Sequence, residues 1–310
     1  MKTRYEKAQN FLGALAGNCP ELPFEPTLLP ELFASTAASS MSSTSHVAAL
    51  VERSQGLATR ILRLANSAYY GMNTKVSSLD HAIRLLGLNE VRSIILQLGV
   101  SSVIRQLKLP ASFPAQQIWE HQLLTANLAR MIAQSMPPGH AAGEENVSPD
   151  ELYAAGLLHD IGKTMVAANC PDDWHAIDDL AACEEIPYFQ AEEDYWGIDH
   201  SVAGARLLTF WGLPPKLTEL VGWHHAPHHA GAQYSTPTHT LAAANLLAHY
   251  PISALVPAED AGDEVAGPVL PDIVRAFLPE SVDQAQLVSK IVAGCDMNRF
   301  KGMARAAMVE

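Results

Sequence analysis

The sequence predicts an all-α protein, and three observations support that prediction. Apolar residues recur at helical spacing, for example at Leu57, Ile61, Leu64 and Ala65, which share one helix face. Capping residues and glycines stand where such stripes begin and end. Alternating apolar and polar runs with hairpin turns, which are typical of β-strands, are hard to find.

The first half of the chain has clear helix boundaries. A stripe of apolar residues follows Ser78, a candidate N-cap, and Gly87 ends that helix as its C′ residue. We expect Asn89 to open the next helix. Pro110 and Pro114 then interrupt the helical pattern.

The second half begins after a loop at 137–147. The run Ser148–Glu151 is a capping box with proline at the first helical position. The helix that it starts places His159 and Asp160 near its C-terminal end. Residues 251–270 are rich in proline, glycine and acids and predict a loop, with a last helical segment near 271–308.

Length and composition exclude several classes of protein. At roughly 150 residues per domain, 310 residues suggest two structural units or one large one. The formal net charge of −13 disfavours broad nucleic-acid binding and binding to anionic membranes. Four scattered cysteines argue against a disulfide scaffold, and no apolar stretch is long enough to span a membrane. We therefore expect a soluble, cytoplasmic protein.

Histidines on apolar helix stripes are the strongest functional signal. Among the thirteen histidines, His121, His159 and His224 each share a stripe with apolar residues, and so does Asn245. A single histidine of this kind is most often a hydrogen-bonded core residue, so a scaffold that binds no metal stays an alternative. Several such histidines close to Asp160 would instead form a binding site for iron, manganese or zinc in the core of a helical bundle.

Phosphoester hydrolysis is the chemistry that such a site would support. A divalent ion activates water near neutral pH, and two ions can hold both reacting oxygens. Lys163, one turn after His159, would neutralise a phosphate oxygen. Equally, Lys163 has a purely structural interpretation as a lysine that complements the C-terminal end of a helix dipole.

The motif HDIGK, His159 to Lys163, resembles the HD superfamily of metal-dependent phosphohydrolases. Five pieces, in family order, resemble more specifically the HDOD family, the HD-related output domain of bacterial signalling proteins: LRLANSAYYG, VSSLDHAIRLLGL, AGLLHDIGK, HSVAGARLLTFWGLP and HHAP. The resemblance implies a multi-helical fold in which an N-terminal helical lobe packs on a degenerate HD-type lobe. The implied division is an N-terminal helical extension at 1–25, the N-terminal lobe at 26–109, the HD-like lobe at 110–250, and a C-terminal loop and helical segment at 251–310.

The resemblance also implies a set of metal ligands. The quartet of the catalytic superfamily falls on His121, His159, Asp160 and Asn245, and the extra histidines of its di-metal branch match His200, His224 and His225. The last member of the quartet is an aspartate in the superfamily, whereas Asn245 is a neutral amide. The GYP signature of the cyclic-dinucleotide phosphodiesterases is replaced by HHAPHHAGAQY.

These departures favour a non-enzymatic signal-transduction module that acts through partner signalling proteins and retains, at most, a vestigial site for one divalent ion. Residues 1–25 and 251–310 are too short for an input domain, so we expect the input to come from another chain or a small phosphorylated ligand. The alternative is a metal-dependent phosphohydrolase acting on a nucleotide or related phosphoester. In that case Asp160 and Lys163 would be the catalytic residues.

Overall fold

All regular secondary structure in the described part of the chain is helical, and no strand occurs there, which confirms the predicted fold class. The computed structural model describes residues 3–17, 19–22, 25, 27–35, 42–66, 76–137, 147–255 and 270–294. Within these ranges, no helix combines the length and the apolar character that crossing a membrane requires.

The chain divides into two compact units. The smaller unit comprises Pro20–Gln106 and Leu208–Pro214, and the larger unit comprises Met1–Cys19, Leu107–Leu207 and Pro215–Glu310. The domain boundaries inferred from the sequence stay predictions.

The smaller unit contains five helices in its described part: α2 (Leu28–Ser35), α3 (Thr44–Glu52), α4 (Gln55–Ala65), α5 (Leu79–Leu86) and α6 (Leu88–Gln106). Helix α5 packs against α3 and α4, and α4 also packs against α6. Their facing apolar stripes form the core, in which Val51, Ile61, Ile83 and Ile95 are fully buried. Burying each such side chain contributes about 1.5–3 kcal/mol.

The larger unit contains the remaining α-helices of the described residues, apart from the last three residues of α12, which belong to the smaller unit: α1 (Arg4–Gly17), α7 (Ala115–Gln134), α8 (Pro149–Leu158), α9 (Ile161–Asn169), α10 (Pro171–Glu184), α11 (Tyr188–Trp196), α12 (His200–Phe210), α13 (Pro215–Gly222), α14 (Ser235–Ala248), α15 (Asp272–Arg275) and α16 (Gln284–Gly294). Helix α7 lies against both α8 and α14. Leu123, Leu157 and Leu241, one from each of these helices, are completely buried.

Most local signals in the sequence act as expected. Ser78 and Ser148 cap their helices, the latter in a complete capping box with Glu151, and Gly87 ends α5 with a φ of 85°. The helix expected to open at Asn89 begins one residue earlier, at Leu88. The loop expected at 137–147 lies mostly outside the described residues.

One expectation about helix ends is confirmed and one is wrong. Helix α8 ends at Leu158 with His159 as its C-cap, so that His159 and Asp160 lie at its C-terminal end, in a turn before α9. The last helical segment is not continuous, because α15 and α16 are separated by residues 276–283, a stretch that contains Pro279. The part of that segment beyond residue 294 lies outside the described residues.

Two glycines allow helices to approach closely around this turn. A Cβ on Gly156 of α8 would stand 2.6 Å from the Cα of Ala126 in α7. A Cβ on Gly162 of α9 would stand 1.9 Å from the carbonyl oxygen of His200 at the start of α12. Any side chain at either position would force the helices apart, because both contacts are with backbone atoms.

Candidate metal centre

The seven residues that the sequence singled out as metal ligands lie together inside the larger unit. His121 comes from α7, His159 and Asp160 from the α8–α9 turn, and His200 from the start of α12; His224 and His225 follow α13, and Asn245 lies on α14. We call this set the histidine cluster. Two groups within it bring potential ligand atoms within 4.8 Å of one another: Asp160 with His200, His224 and His225, and Asp160 with His121 and His159.

Asp160 is the residue that both groups share. Its Oδ1 lies 2.9 Å from His200 Nε2, 3.5 Å from His159 Nε2 and 3.9 Å from His224 Nε2. Its Oδ2 lies 2.7 Å from Lys163 Nζ and 3.8 Å from His121 Nε2. One carboxylate therefore contacts imidazoles from four separate elements.

The rings of His159 and His224 are held in the orientation that a metal ligand needs. His159 Nδ1 donates to the carbonyl oxygen of Gly156 at 2.8 Å, and His224 Nδ1 donates to that of Val221 at 2.7 Å. Because a carbonyl oxygen only accepts, each Nδ1 carries the hydrogen and each neutral ring has a lone pair on Nε2. Both Nε2 atoms are buried without a hydrogen-bond partner.

His200 is oriented by a carboxylate that the sequence analysis missed. Glu192 of α11 is completely buried, and its Oε2 accepts hydrogen bonds from His200 Nδ1 at 2.5 Å and from the His200 backbone N–H at 2.9 Å. A carboxylate behind a histidine fixes the ring and makes its other nitrogen a better ligand. No local sequence pattern points to Glu192, because the pairing depends on how the chain turns between α11 and α12.

His121 differs from the other ring ligands. Its Nε2 lies 2.9 Å from Asn245 Oδ1, and since an amide oxygen only accepts, His121 donates its Nε2 hydrogen to Asn245. His249 stacks on His121 with the ring centroids 4.5 Å apart. His249 is not among the residues that the sequence singles out, although it stands one helical turn after Asn245 and therefore on the same face of α14.

Burial and neighbouring charges shift the pKa values in the histidine cluster in different directions. Burial lowers the pKa of His121 and of His224 to about 4. Burial also opposes the charged form of His200, but the Glu192 carboxylate outweighs it and the pKa of His200 rises to about 9. Burial likewise opposes ionisation of Asp160, yet His159 and Lys163 keep the pKa of this carboxyl well below its usual range.

Lys163 lies in the first turn of α9, so the interpretation that it complements the C-terminal end of a helix dipole is wrong. The helix that begins at Ile161 is a new one, and its N-terminal end would repel a cation. Lys163 lies there because its ammonium group bonds to Asp160 Oδ2.

The histidine cluster fits a divalent metal ion. Two buried nitrogen atoms with lone pairs, His159 Nε2 and His224 Nε2, have no hydrogen-bond partner, and burying such atoms is costly unless something binds them. Imidazole nitrogen with carboxylate oxygen is the donor set of iron, manganese and zinc. The described residues can therefore hold one of these ions.

Comparison with known proteins agrees with this architecture. A sequence profile of the HDOD domain matches residues 22–227. An HDOD domain protein of unknown function from Geobacter sulfurreducens is 22% identical, with a TM-score of 0.70 over 98% of this chain and 99% of that chain. A candidate phosphohydrolase from Shewanella amazonensis SB2B is 20% identical, with a TM-score of 0.69 over 96% and 98% of the two chains.

A further relative is known by sequence. An uncharacterized protein of Treponema pallidum (strain Nichols) is 26% identical over 202 residues, which are 65% of this chain and 37% of that protein. The chain thus spans well under half the length of this relative. The profile match covers about two thirds of the chain and includes all five characteristic motifs in full, together with all the helices of the smaller unit. The chain therefore belongs to the HDOD domain family.

Proposed function

We propose that this HDOD protein holds one divalent metal ion in the histidine cluster and acts in bacterial signal transduction through partner proteins in the cytoplasm, without turning over a phosphoester. The observation that carries the proposal is the hydrogen bond between His121 and Asn245. A neutral amide occupies the position where the catalytic superfamily has an aspartate. That amide also engages the nitrogen with which His121 would bind an ion.

His159, His200, His224 and Asp160 are the residues that would hold the ion. His159 and His224 already carry their lone pairs on Nε2, and Glu192 orients His200. When bound, the ion supplies Lewis acidity and charge neutralisation. The chain supplies a buried surrounding, which excludes water and strengthens electrostatic contacts within the cluster.

The charge of the histidine cluster favours one ion over two. Asp160 is the only carboxylate in the two groups of potential ligands among the described residues. The positive charge of Lys163 offsets part of its negative charge at 2.7 Å. Two divalent ions would bring four positive charges to a site that offers little anionic compensation, so hydrolysis assisted by two ions is disfavoured.

Hydrolysis of a nucleotide or a related phosphoester is the second candidate function. It is favoured by His200, His224 and His225, which gather on one side of Asp160 as histidines that could support a second ion. In that case Asp160 would hold the ion and Lys163 would have to exchange Asp160 for a phosphate oxygen. The short contact between Lys163 and Asp160 argues against this exchange, because breaking it would leave a buried carboxylate less compensated.

Elemental analysis and activity assays test the two candidates together. Protein purified without an affinity tag should contain stoichiometric iron, manganese or zinc, and His159→Ala should lose it. A panel of nucleotides, cyclic nucleotides and cyclic dinucleotides should show no turnover with added manganese or iron. Metal-dependent turnover that disappears in Asp160→Ala would instead establish the hydrolase, and metal at background level would establish a scaffold without an ion.

Crosslinking in the native cell tests the role in signalling. The wild-type chain should capture a defined set of signalling proteins, and the metal-free variant His159→Ala should capture that set with altered yield. His175→Ala, a change at an exposed histidine of α10, is the matched control and should leave the yield unchanged. Identical capture by wild type and His159→Ala would show that binding to the partner proteins does not depend on the metal ion.

A further inference from the structure

A concave polar pocket lies in the smaller unit, between α4 and α6, and its volume is about 150 Å³. Its polar lining residues are Ser54 and Arg60 on the α4 side and Ser102 and Arg105 on the α6 side. Leu57 and Leu98 contribute apolar surface. We call this the arginine pocket.

The arginine pocket concentrates positive charge in an acidic chain. The described residues that line it include two arginines and no acidic side chain. No described acidic side chain forms an ion pair with Arg60. Two guanidinium groups that line one cavity attract an anion at short range, even though the protein carries a net charge of −13.

Hydroxyl and backbone donors complete the lining. Ser102 Oγ accepts a hydrogen bond from Gln106 Nε2 at 3.1 Å, so the Ser102 hydroxyl hydrogen can be donated into the pocket. The carbonyl oxygen of Ser54 accepts the Ala58 N–H at 3.0 Å, which places Ser54 at the N-terminal end of α4. The first amides of this helix have no acceptor within it. Gly56 leaves them approachable, because nothing lies within 4 Å of the point where its Cβ would be.

We propose that the arginine pocket binds the phosphoryl group of a small phosphorylated molecule. Guanidinium groups offer planar pairs of N–H donors that match phosphate oxygens, and the serine hydroxyls and helix amides add neutral donors. At about 30 Å³ per water, 150 Å³ is the share of about five waters, which is room for one phosphoryl group together with the ester oxygen that carries it, about five heavy atoms in all. The rest of the ligand would extend out of the pocket. The site shares no residue with the histidine cluster and does not depend on a metal ion.

Calorimetry with pyrophosphate tests the proposal on the full chain after treatment with a chelator, which removes any ion from the histidine cluster. The wild type should show saturable binding that weakens as ionic strength rises. Arg60→Gln and Arg105→Gln should each weaken binding by about tenfold, and Ser102→Ala by less, because a charged donor contributes more than a neutral one. Arg63→Gln is the matched control: it removes the same charge from α4 outside the pocket lining and should bind like wild type.

Further variants test whether binding depends on the forked donors of the arginine pocket and not on the histidine cluster, and competing ligands test which phosphorylated molecules bind. Arg60→Lys keeps the charge without the forked donors and should bind with intermediate strength. Asp160→Asn should bind pyrophosphate like wild type, since its change lies in the histidine cluster. Glycerol phosphate and a nucleoside monophosphate should compete with pyrophosphate.

Four results would overturn the proposal: no saturable binding to the wild type, equal binding by wild type and both glutamine variants, an equal loss in Arg63→Gln, or competition by inorganic phosphate but by neither ester.

Discussion

The two sides of the histidine cluster differ in what holds each ring. One side, which we call the α8–α13 side, comprises His159, His200 and His224. Here His159 and His224 donate Nδ1 hydrogens to backbone carbonyl oxygens, and their Nε2 lone pairs face Asp160. The other side, which we call the α7–α14 side, comprises His121 and Asn245, and here His121 donates its Nε2 hydrogen to the Asn245 amide oxygen. One side is prepared for a cation, whereas the other is engaged in a hydrogen bond within the protein.

This difference teaches how the residue at position 245 sets the state of the neighbouring ring. Asparagine carries no charge where an aspartate would carry a negative one, and its amide oxygen is a neutral acceptor for the His121 Nε2 hydrogen. The half-buried His121 and the buried Asn245 thus satisfy each other's hydrogen bonding without an ion. On the opposite side, His159 Nε2 and His224 Nε2 have no partner, and these are the atoms to which an ion could bind.

Asp160→Asn should have the largest effect, because both sides share this carboxylate. We expect metal affinity to fall by more than about 100-fold, beyond the roughly 10–100-fold that loss of an outer partner costs. Competition with a fluorescent chelator measures it. Asp179→Asn, at an exposed acid of α10, should bind metal like wild type. Retained affinity in Asp160→Asn would mean that the ion is held without the shared carboxylate.

Glu192→Gln should weaken metal binding on the α8–α13 side by about 10–100-fold, since Glu192 orients His200 without touching the ion. The same titration measures it, and histidine NMR should show the pKa of His200 falling. Glu193→Gln changes the exposed neighbour of Glu192 and is the matched control. Equal affinities for the two variants would exclude the positioning role of Glu192.

Asn245→Asp should change metal affinity in the opposite direction and strengthen binding. A carboxylate at this position adds an anionic ligand on the α7–α14 side, and we expect metal affinity to rise by about tenfold once its desolvation is included. Gln190→Glu, which adds the same charge at an exposed site of α11, controls for net charge and should leave the affinity unchanged. An unaltered affinity in Asn245→Asp would place the side chain outside the ligand set.

The metal-free protein should be most stable near pH 6.5. Below that pH the unfolded chain protonates histidines that burial keeps neutral in the folded chain, such as His121 and His224 with pKa values of about 4, so stability falls as the pH falls. Above pH 6.5 the folded chain keeps the proton of His200 up to about pH 9 and the unfolded chain does not, so stability falls as the pH rises.

Urea denaturation of chelator-treated protein measures this profile. One pKa unit corresponds to about 1.4 kcal/mol, which at about 3 kcal/mol per molar urea shifts the midpoint by about 0.5 M. Glu192→Gln should abolish the decline above pH 6.5, because Glu192 raises the pKa of His200. His175→Gln should reproduce the wild-type profile. A wild-type midpoint that does not change with pH would contradict the burial of neutral histidines.

The sequence by itself determined the helical class and many helix boundaries. Ser78, Gly87 and Ser148 act within a few residues of their own position, so their effect follows from local hydrogen bonding and backbone geometry. The order of the five motifs also gave the family, and with it the candidate ligands on separate helices. His159 and Asp160 lie at the C-terminal end of α8, as the sequence predicts, and a new helix, α9, begins directly after them.

Only the tertiary structure decided what each candidate ligand contacts. The carbonyl oxygens that orient His159 and His224 are local, but the convergence of both rings on Asp160 depends on close helix approaches at Gly156 and Gly162. Glu192 reaches His200 across a turn, and Lys163 bonds to Asp160 instead of facing solvent. The contacts of Asp160 with His121 and His224 and the bond between His121 and Asn245 join elements distant in sequence, and spacing along one helix carries no information about them.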